Sequence, residues 1–279
     1  MKYIFFLIVL VSAHANAQNT LQFNKRFVES EDRWVAFQPE KDSSYTYGFI
    51  YIDAQAGLTF NREGKFTISS AGVFVPIKLE DVNIKARLEP NNVLVAFIPE
   101  NKFQELKITA IPGWLEVYKH DTASVGRLFR WGFLYNGYGE CAKGLGYLER
   151  VQKIDPKFKG LEVELAFSYN CLGQHDKAIT ILESALQTNP ADAYCHKELI
   201  YAELQSGQLD KAAASCKKAI KVCTDTQYHG ESCYNLLYSF YKKKDKTNFT
   251  AWLPEAKKWN AGNRQLAASI QKMEEEMTK

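Results

Sequence analysis

The sequence predicts an α+β protein in two segments: a small all-β sandwich or barrel, followed by an all-α solenoid of helical hairpins. Three observations carry this expectation. From about Leu21 to Lys119, short runs rich in aromatic and β-branched residues alternate with turn residues, the pattern of strands. After Ile111-Pro112-Gly113 the apolar period becomes helical and stays so to the C-terminus. Within that second part, residues recur at a fixed interval of 34 positions, as in Gly139, Gly173 and Gly207.

The chain starts with a segment that stands apart from both. Met1-Lys2 is positive, Ile4 to Val11 is an unbroken apolar run, and Ala15-Asn16-Ala17 puts small residues at alternate positions. The apolar run is too short to span a bilayer as a helix, which takes about 20 residues. A secretory signal peptide over 1–17 is expected, cleaved between Ala17 and Gln18, and with it an exported protein, periplasmic or secreted. No Cys follows the cleavage site to accept a lipid, and no later stretch is long and apolar enough to be a transmembrane helix.

The bulk properties fit two globular domains. The chain has 279 residues, 46% apolar and 24% charged, with no low-complexity tract. A net charge of +3, with Lys242-Lys243-Lys244 cut short by Asp245, gives no surface for nucleic acid.

The first domain is expected at 18–119. Its strands are Trp34 to Phe37, Tyr45 to Ile52, Ala56 to Phe60, Lys65 to Ile68, Val73 to Ile77, Val82 to Leu88, Val93 to Ile98 and Leu106 to Ile111. Asn61-Arg62-Glu63-Gly64, polar and closed by Gly, is expected to be a hairpin loop. Pro76 marks its strand as an edge or a bulge, because proline cannot donate to a ladder. Residues 112–124, including His120 to Ser124, are expected to join the domains, with the helical domain spanning 125–279.

Several residues recur in the same 34-residue register. Pro156 is followed by Pro190, Ala178 by Ala212, Ala185 by Ala219, Leu165 by Leu199, and Tyr135 by Tyr169. Gln174 to Ala178 and Gln208 to Ala212 are close copies. Each residue type suits a helix-turn-helix hairpin. The Gly takes the left-handed backbone that closes a first helix, and the Asp three positions on starts the second helix, where a carboxylate satisfies free amides. The Ala positions permit close helix approach, and the Pro ends the second helix.

This pattern resembles the tetratricopeptide repeat family over about 125–258, as repeats 125–158, 159–192 and 193–226 with a degenerate fourth at 227–258. Departures are local. Gly132 and Gly144 stand at small positions of the first repeat, while Ile200 and Glu203 replace the small and aromatic residues of the third. The fourth has Tyr234, Leu237 and Tyr241 on one face but lacks the Gly and Ala marks. Beyond it, Leu266, Ile270, Met273 and Met277 make an amphipathic helix suited to cap the stack.

The resemblance implies a concave groove lined by the first helix of each hairpin, which takes a peptide or a protein surface. By register the groove presents Phe129, Phe133, Asn136, Phe167, Asn170, Lys197, Tyr201, Tyr228, Asn235 and Tyr238. The Lys and Asn set with which some members hold a C-terminal carboxylate is missing. Hairpin stacking also suggests pairings for the six cysteines, all in the helical part: Cys141 with Cys171, Cys195 with Cys223, and Cys216 with Cys233.

Nothing in the sequence points to catalysis or to a cofactor. His120, His175, His196 and His229 form no metal-ligand pattern, and the cysteines have no CxxC spacing. Gly137-Tyr138-Gly139 and Gly144-Leu145-Gly146 fall inside a repeat and not between a strand and a helix, so no phosphate loop is expected. Acid pairs such as Glu100 with Glu105 give no catalytic reading without a pocket. The expectation is a non-enzymatic scaffold for a protein or peptide. The alternatives are a cell-envelope assembly factor docking through the β-domain, or a carbohydrate binder with Trp34, Tyr45, Tyr47 and Tyr51 as stacking residues.

Overall fold

The computed structural model describes residues 21–77, 84–120 and 123–278, so the signal-peptide expectation at 1–17 lies outside the described residues. By internal contacts the chain divides into two compact units, one ending at Lys119 and the next starting at His120.

The first unit is built on one open antiparallel sheet. Its strands are β1 (Arg33–Ala36), β2 (Tyr45–Asp53), β3 (Gly57–Ile68), β4 (Phe74–Ile77), β5 (Lys85–Arg87) and β6 (Ala96–Phe97). The order is β4-β3-β2-β1-β6, with β5 also pairing with β3. β4 lies at the edge of the sheet, and Pro76 sits opposite Phe66 in it; among the described residues no strand beyond asks for its missing N–H.

Asn61 to Gly64 is no loop. β3 runs unbroken through it, paired with β2, and the register shifts at Tyr47/Gly48. The glycines here answer crowding: a Cβ on Gly48 would meet the Asn61 carbonyl oxygen at 2.2 Å, and one on Gly64 would lie 3.1 Å from the Tyr47 ring. The turn that does join the two strands lies just before β3. There the Asp53 carboxylate accepts from the amides of Gln55 and Ala56, and Gly57 takes φ 84°.

A second difference concerns Leu106 to Ile111, expected as a strand. Phe103–Leu106 is a single helical turn, α1, and Lys107 closes it in the left-handed region at φ 56°. The 3-10 turn Gly113–Tyr118 follows. Leu106, Trp114, Leu115 and Tyr118 pack with Trp34, Tyr47, Phe49, Tyr51, Phe66 and Phe74 into one core on this face of the sheet. Much of the expected 112–124 junction therefore belongs to the β-domain core. Glu105 ties the layer to the sheet edge, accepting from the Phe74 amide at 2.6 Å and from Lys102 at 2.9 Å. On the other face Phe37 packs against Phe27 and Phe60.

The second unit is a series of helical hairpins: α2 (Val125–Gly137) with α3 (Cys141–Ile154), α4 (Leu161–Cys171) with α5 (His175–Thr188), α6 (Ala193–Gln205) with α7 (Leu209–Val222), and α8 (His229–Lys243) with α9 (Lys246–Asn260). α10 (Arg264–Thr278) packs its buried Ile270 and Met273 into the last hairpin.

Each hairpin turns in the same way. Gly139, Gly173 and Gly207 have φ of 76°, 71° and 74°. In each, the residue after the Gly donates its amide across the turn: Glu140 to the Tyr135 carbonyl, Gln174 to Tyr169, and Gln208 to Glu203, all at 2.8 Å. This double-bonded cap satisfies carbonyls that a helix end leaves free. The fourth hairpin lacks the Gly but keeps the geometry, with Lys244 forced to φ 56° and Asp245 donating to Phe240 at 3.0 Å. Asp176 and Asp210 do not cap as expected. The second helices begin one residue earlier, after Gln174 and Gln208, which leaves these carboxylates inside the first turn, where the helix dipole favours them.

The small positions behave as expected. Ala178 and Ala212 are fully buried. In the first hairpin the approach is tighter still: a Cβ on Gly132 would lie 2.5 Å from Leu148, and one on Gly144 would lie 2.9 Å from the Gly132 carbonyl oxygen.

Candidate binding face

The first helices α2, α4, α6 and α8 lie side by side. A 34-residue period therefore places equivalent residues on one line across neighbouring helices. Phe133, Phe167, Tyr201 and Asn235 share one such line, and Phe133 and Tyr201 are 52% and 37% exposed. Phe167, Tyr228 and Asn235 are half-buried, and so is Phe129, which packs on Phe158 at 4.9 Å. Tyr238 is 42% exposed and stacks on Tyr234, with centroids 6.3 Å apart.

Asn136 and Asn170 are a different matter, since both are buried, at 3% and 4% exposure. The Asn136 amide donates to the Glu164 carbonyl and carboxylate, both at 3.1 Å, and its oxygen accepts from Ser168 at 2.8 Å. One repeat on, Asn170 donates to the Glu198 carbonyl at 3.1 Å and carboxylate at 2.9 Å. These amides stitch α2 to α4 and α4 to α6, and they are not presented on the groove surface. Burial pushes the Glu164 carboxyl up to about 7, against the lowering effect of its Asn136 hydrogen bond, and the Glu198 charge adds to the rise.

Lys197 sits between carboxylates, 2.8 Å from Glu198 and 4.0 Å from Glu231, with its ammonium 5.7 Å from the Tyr194 ring centre. Burial works against its charge, but the Glu198 hydrogen bond and charge outweigh it and hold the pKa above its ordinary value. Tyr194, absent from the expected groove, packs on Tyr228 at 5.7 Å. The 34-residue interval between these two tyrosines was the signal that could have found it. His175, the first residue of α5, packs edge-on to Tyr201 at 6.2 Å and has Nδ1 3.3 Å from the Asn170 side-chain oxygen.

Of the three expected disulfides, Cys141–Cys171 is formed, its Cα atoms 6.2 Å apart, where the start of α3 meets the end of α4. The other four cysteines are buried thiols. Cys195 and Cys223 belong to separate core clusters, and Cys216 and Cys233 lie with sulfurs 3.8 Å apart, in thiol hydrogen-bond contact and not joined as a disulfide. Burial pushes the Cys195 thiol up to about 12, so it stays protonated and behaves as a small apolar group. The proposed carbohydrate platform is not a surface: Trp34, Tyr47 and Tyr51 are buried in the sheet core, and Tyr45 is stacked between Phe23 and Phe66. Among the described residues there is no group of His, Cys, Asp and Glu able to hold a metal ion, and no helix long and apolar enough to cross a membrane.

The second unit is thus a solenoid of antiparallel helical hairpins with a repeated turn and an aromatic line on its first helices. Comparison agrees with this description: a tetratricopeptide repeat family model matches residues 172–230, within this series of hairpins. Solved structures similar to the chain include YrrB, described as a TPR protein with an unusual peptide-binding site, at 18% identity and TM-score 0.46 over 57% of this chain and 78% of that one. MamA (41-end) from Desulfovibrio magneticus RS-1 is 18% identical with TM-score 0.45, covering 59% and 87%. A thermophilic TPR protein of Thermus thermophilus is 16% identical with TM-score 0.46, covering 62% and 91%. No curated protein matches the chain.

Proposed function

We propose that the first-helix face of the repeats binds an extended segment of another protein, and that the chain works as an exported, non-enzymatic scaffold. One observation carries this. Phe133, Phe167 and Tyr201 recur at one register position on neighbouring first helices, and the two outer rings stay open while Phe167 between them is half-buried. Hairpin solenoids present extended concave surfaces of this kind, and aromatic rings supply contact area at low entropic cost. Export rests on the sequence of residues 1–17 and sets the expected partner in a cell-envelope complex.

The test uses the full mature chain. Phe133→Ala and Tyr201→Ala together should weaken capture of a crosslinked envelope partner by about tenfold or more, the range of hot-spot aromatics. The melting temperature should move by no more than about 2 °C, as for surface substitutions. A collapse of stability would assign these rings to packing, and unchanged capture would move the binding face elsewhere.

A further inference from the structure

Residues 135, 169 and 203 occupy one register position in successive repeats, as Tyr135, Tyr169 and Glu203. Tyr135 stacks on Tyr147 at 5.6 Å and takes the Lys143 ammonium 4.1 Å over its ring. Tyr169 is buttressed in the same way by Lys177 at 5.2 Å. The third repeat has a carboxylate where its predecessors have a ring, and a cavity of about 390 Å³ opens there between α5, α6 and α7. That volume falls within the range of about 300–1,000 Å³ typical of small-ligand sites.

Two deeply buried side chains belong to the lining of this cavity, and each keeps one buried polar atom with no hydrogen-bond partner among the described residues. Glu203 is 2% exposed; its Oε1 accepts from Ser215 at 3.1 Å, while Oε2 is unpaired. His196 is 1% exposed, with Nε2 3.0 Å from the Pro190 carbonyl oxygen. A carbonyl can only accept, so Nε2 carries the proton and the unpaired Nδ1 is a bare acceptor in the neutral ring. Burial, first among the influences, holds the His196 pKa below its ordinary value and keeps the ring neutral. Burial pushes the Glu203 carboxyl up to about 7, against the lowering effect of its Ser215 hydrogen bond; in the ionised form Oε2 and His196 Nδ1 are two unmet acceptors, and N–H donors that carry positive charge answer them and favour that form. Glu183 adds a second carboxylate and Lys218 one cation to the lining, while Leu186, Pro190 and Leu199 give an apolar wall for a short aliphatic stem.

We propose that this cavity binds a primary alkylammonium group, whose N–H donors meet Glu203 Oε2 and His196 Nδ1. The site is separate from the aromatic line and does not depend on the peptide proposal. The ammonium belongs either to a free amine or to a lysine side chain of a partner.

The experiment titrates the full mature chain with n-butylammonium, n-butanol and butyrate, and with the peptide acetyl-Gly-Lys-Gly-amide, following histidine and backbone resonances by NMR. Saturable binding of n-butylammonium is expected, with n-butanol and butyrate weaker by about tenfold or more, as befits a charge-assisted hydrogen bond. Tighter binding of the peptide than of the free amine would identify the source as a partner's lysine, and the reverse as a small amine. Glu203→Tyr restores the ring of the earlier repeats and should melt no lower than the parent while losing binding by about tenfold or more. If that variant does not fold, the isosteric Glu203→Gln is expected to show the same loss. Absence of saturable n-butylammonium binding, equal binding of n-butanol, or full affinity in the folded Glu203 variants would overturn the proposal.

Discussion

Gly144 and Gly146 lie two residues apart in α3, and the same substitution should have opposite effects at the two. In an exposed helix interior, Gly→Ala stabilises by about 1 kcal/mol, because alanine loses less backbone freedom on folding. Gly146 meets this condition: a Cβ there touches nothing within 4 Å, so Gly146→Ala should gain about 1 kcal/mol. At Gly144 the added Cβ would lie 2.6 Å from the Asn136 side-chain oxygen and 2.9 Å from the Gly132 carbonyl oxygen. Both positions demand movement, one of them of backbone. Overpacking costs about 1–3 kcal/mol. Displacing Asn136 also threatens its bonds to Ser168 and Glu164, at about 1–3 kcal/mol for each buried group left unpaired. Set against the helix-propensity gain, Gly144→Ala should lose about 3 kcal/mol net. Melts followed by far-UV circular dichroism should show a fall of about 6–12 °C for Gly144→Ala. Gly146→Ala should rise by about 2–4 °C. A Gly144→Ala protein as stable as the parent would refute the close crossing of α2 and α3.

Glu164 should make stability depend on pH in an identifiable window. Its folded pKa of about 7 lies above the ordinary 4.5, so the folded state holds a proton that the unfolded state has released. The stabilisation is complete below about 4.5 and is lost as pH rises to about 7, by about 3 kcal/mol relative to Glu164→Gln in paired denaturant titrations; parallel curves for the two proteins would contradict the buried protonated carboxyl. Lys244→Gly should stabilise by about 0.5–1 kcal/mol by relieving a left-handed side-chain-bearing residue, whereas Gly207→Ala should destabilise by a similar amount, both read from thermal melts. Peptide mapping of the non-reduced protein should recover the bridge Cys141–Cys171 and four thiols that alkylate only after unfolding; a bridge at Cys195 or Cys216 would count against the packing of the third hairpin. Cys141→Ser opens a loop of 30 residues and should cost about 3.5 kcal/mol by chain entropy.

The sequence alone determined what is local and repeated. Gly139, Gly173 and Gly207 announce their turns because left-handed backbone is a property of the residue itself, and a 34-residue period must return each residue type to the same place in each hairpin. The alternation of Tyr45, Tyr47 and Phe49 likewise reports a strand without reference to its neighbours. What depends on partners distant in sequence was settled only by the tertiary structure. Gly64 reads as a turn glycine until the Tyr47 ring is seen lying against it. Leu106 to Ile111 has the composition of a strand, yet the open face of the sheet needed covering, and burying Leu106 in that layer outweighed β-propensity. Asn136 and Asn170 fall on the groove by register, but whether an amide faces a ligand or a neighbouring helix depends on the glutamate 28 residues further on. Cys216 and Cys233 come within 3.8 Å as expected and remain thiols, whereas the bridge that formed joins two helix ends, where the backbone brings the side chains face to face. Propensity and periodicity act within a few residues of chain; burial, crowding and pairing act between segments that only folding brings together.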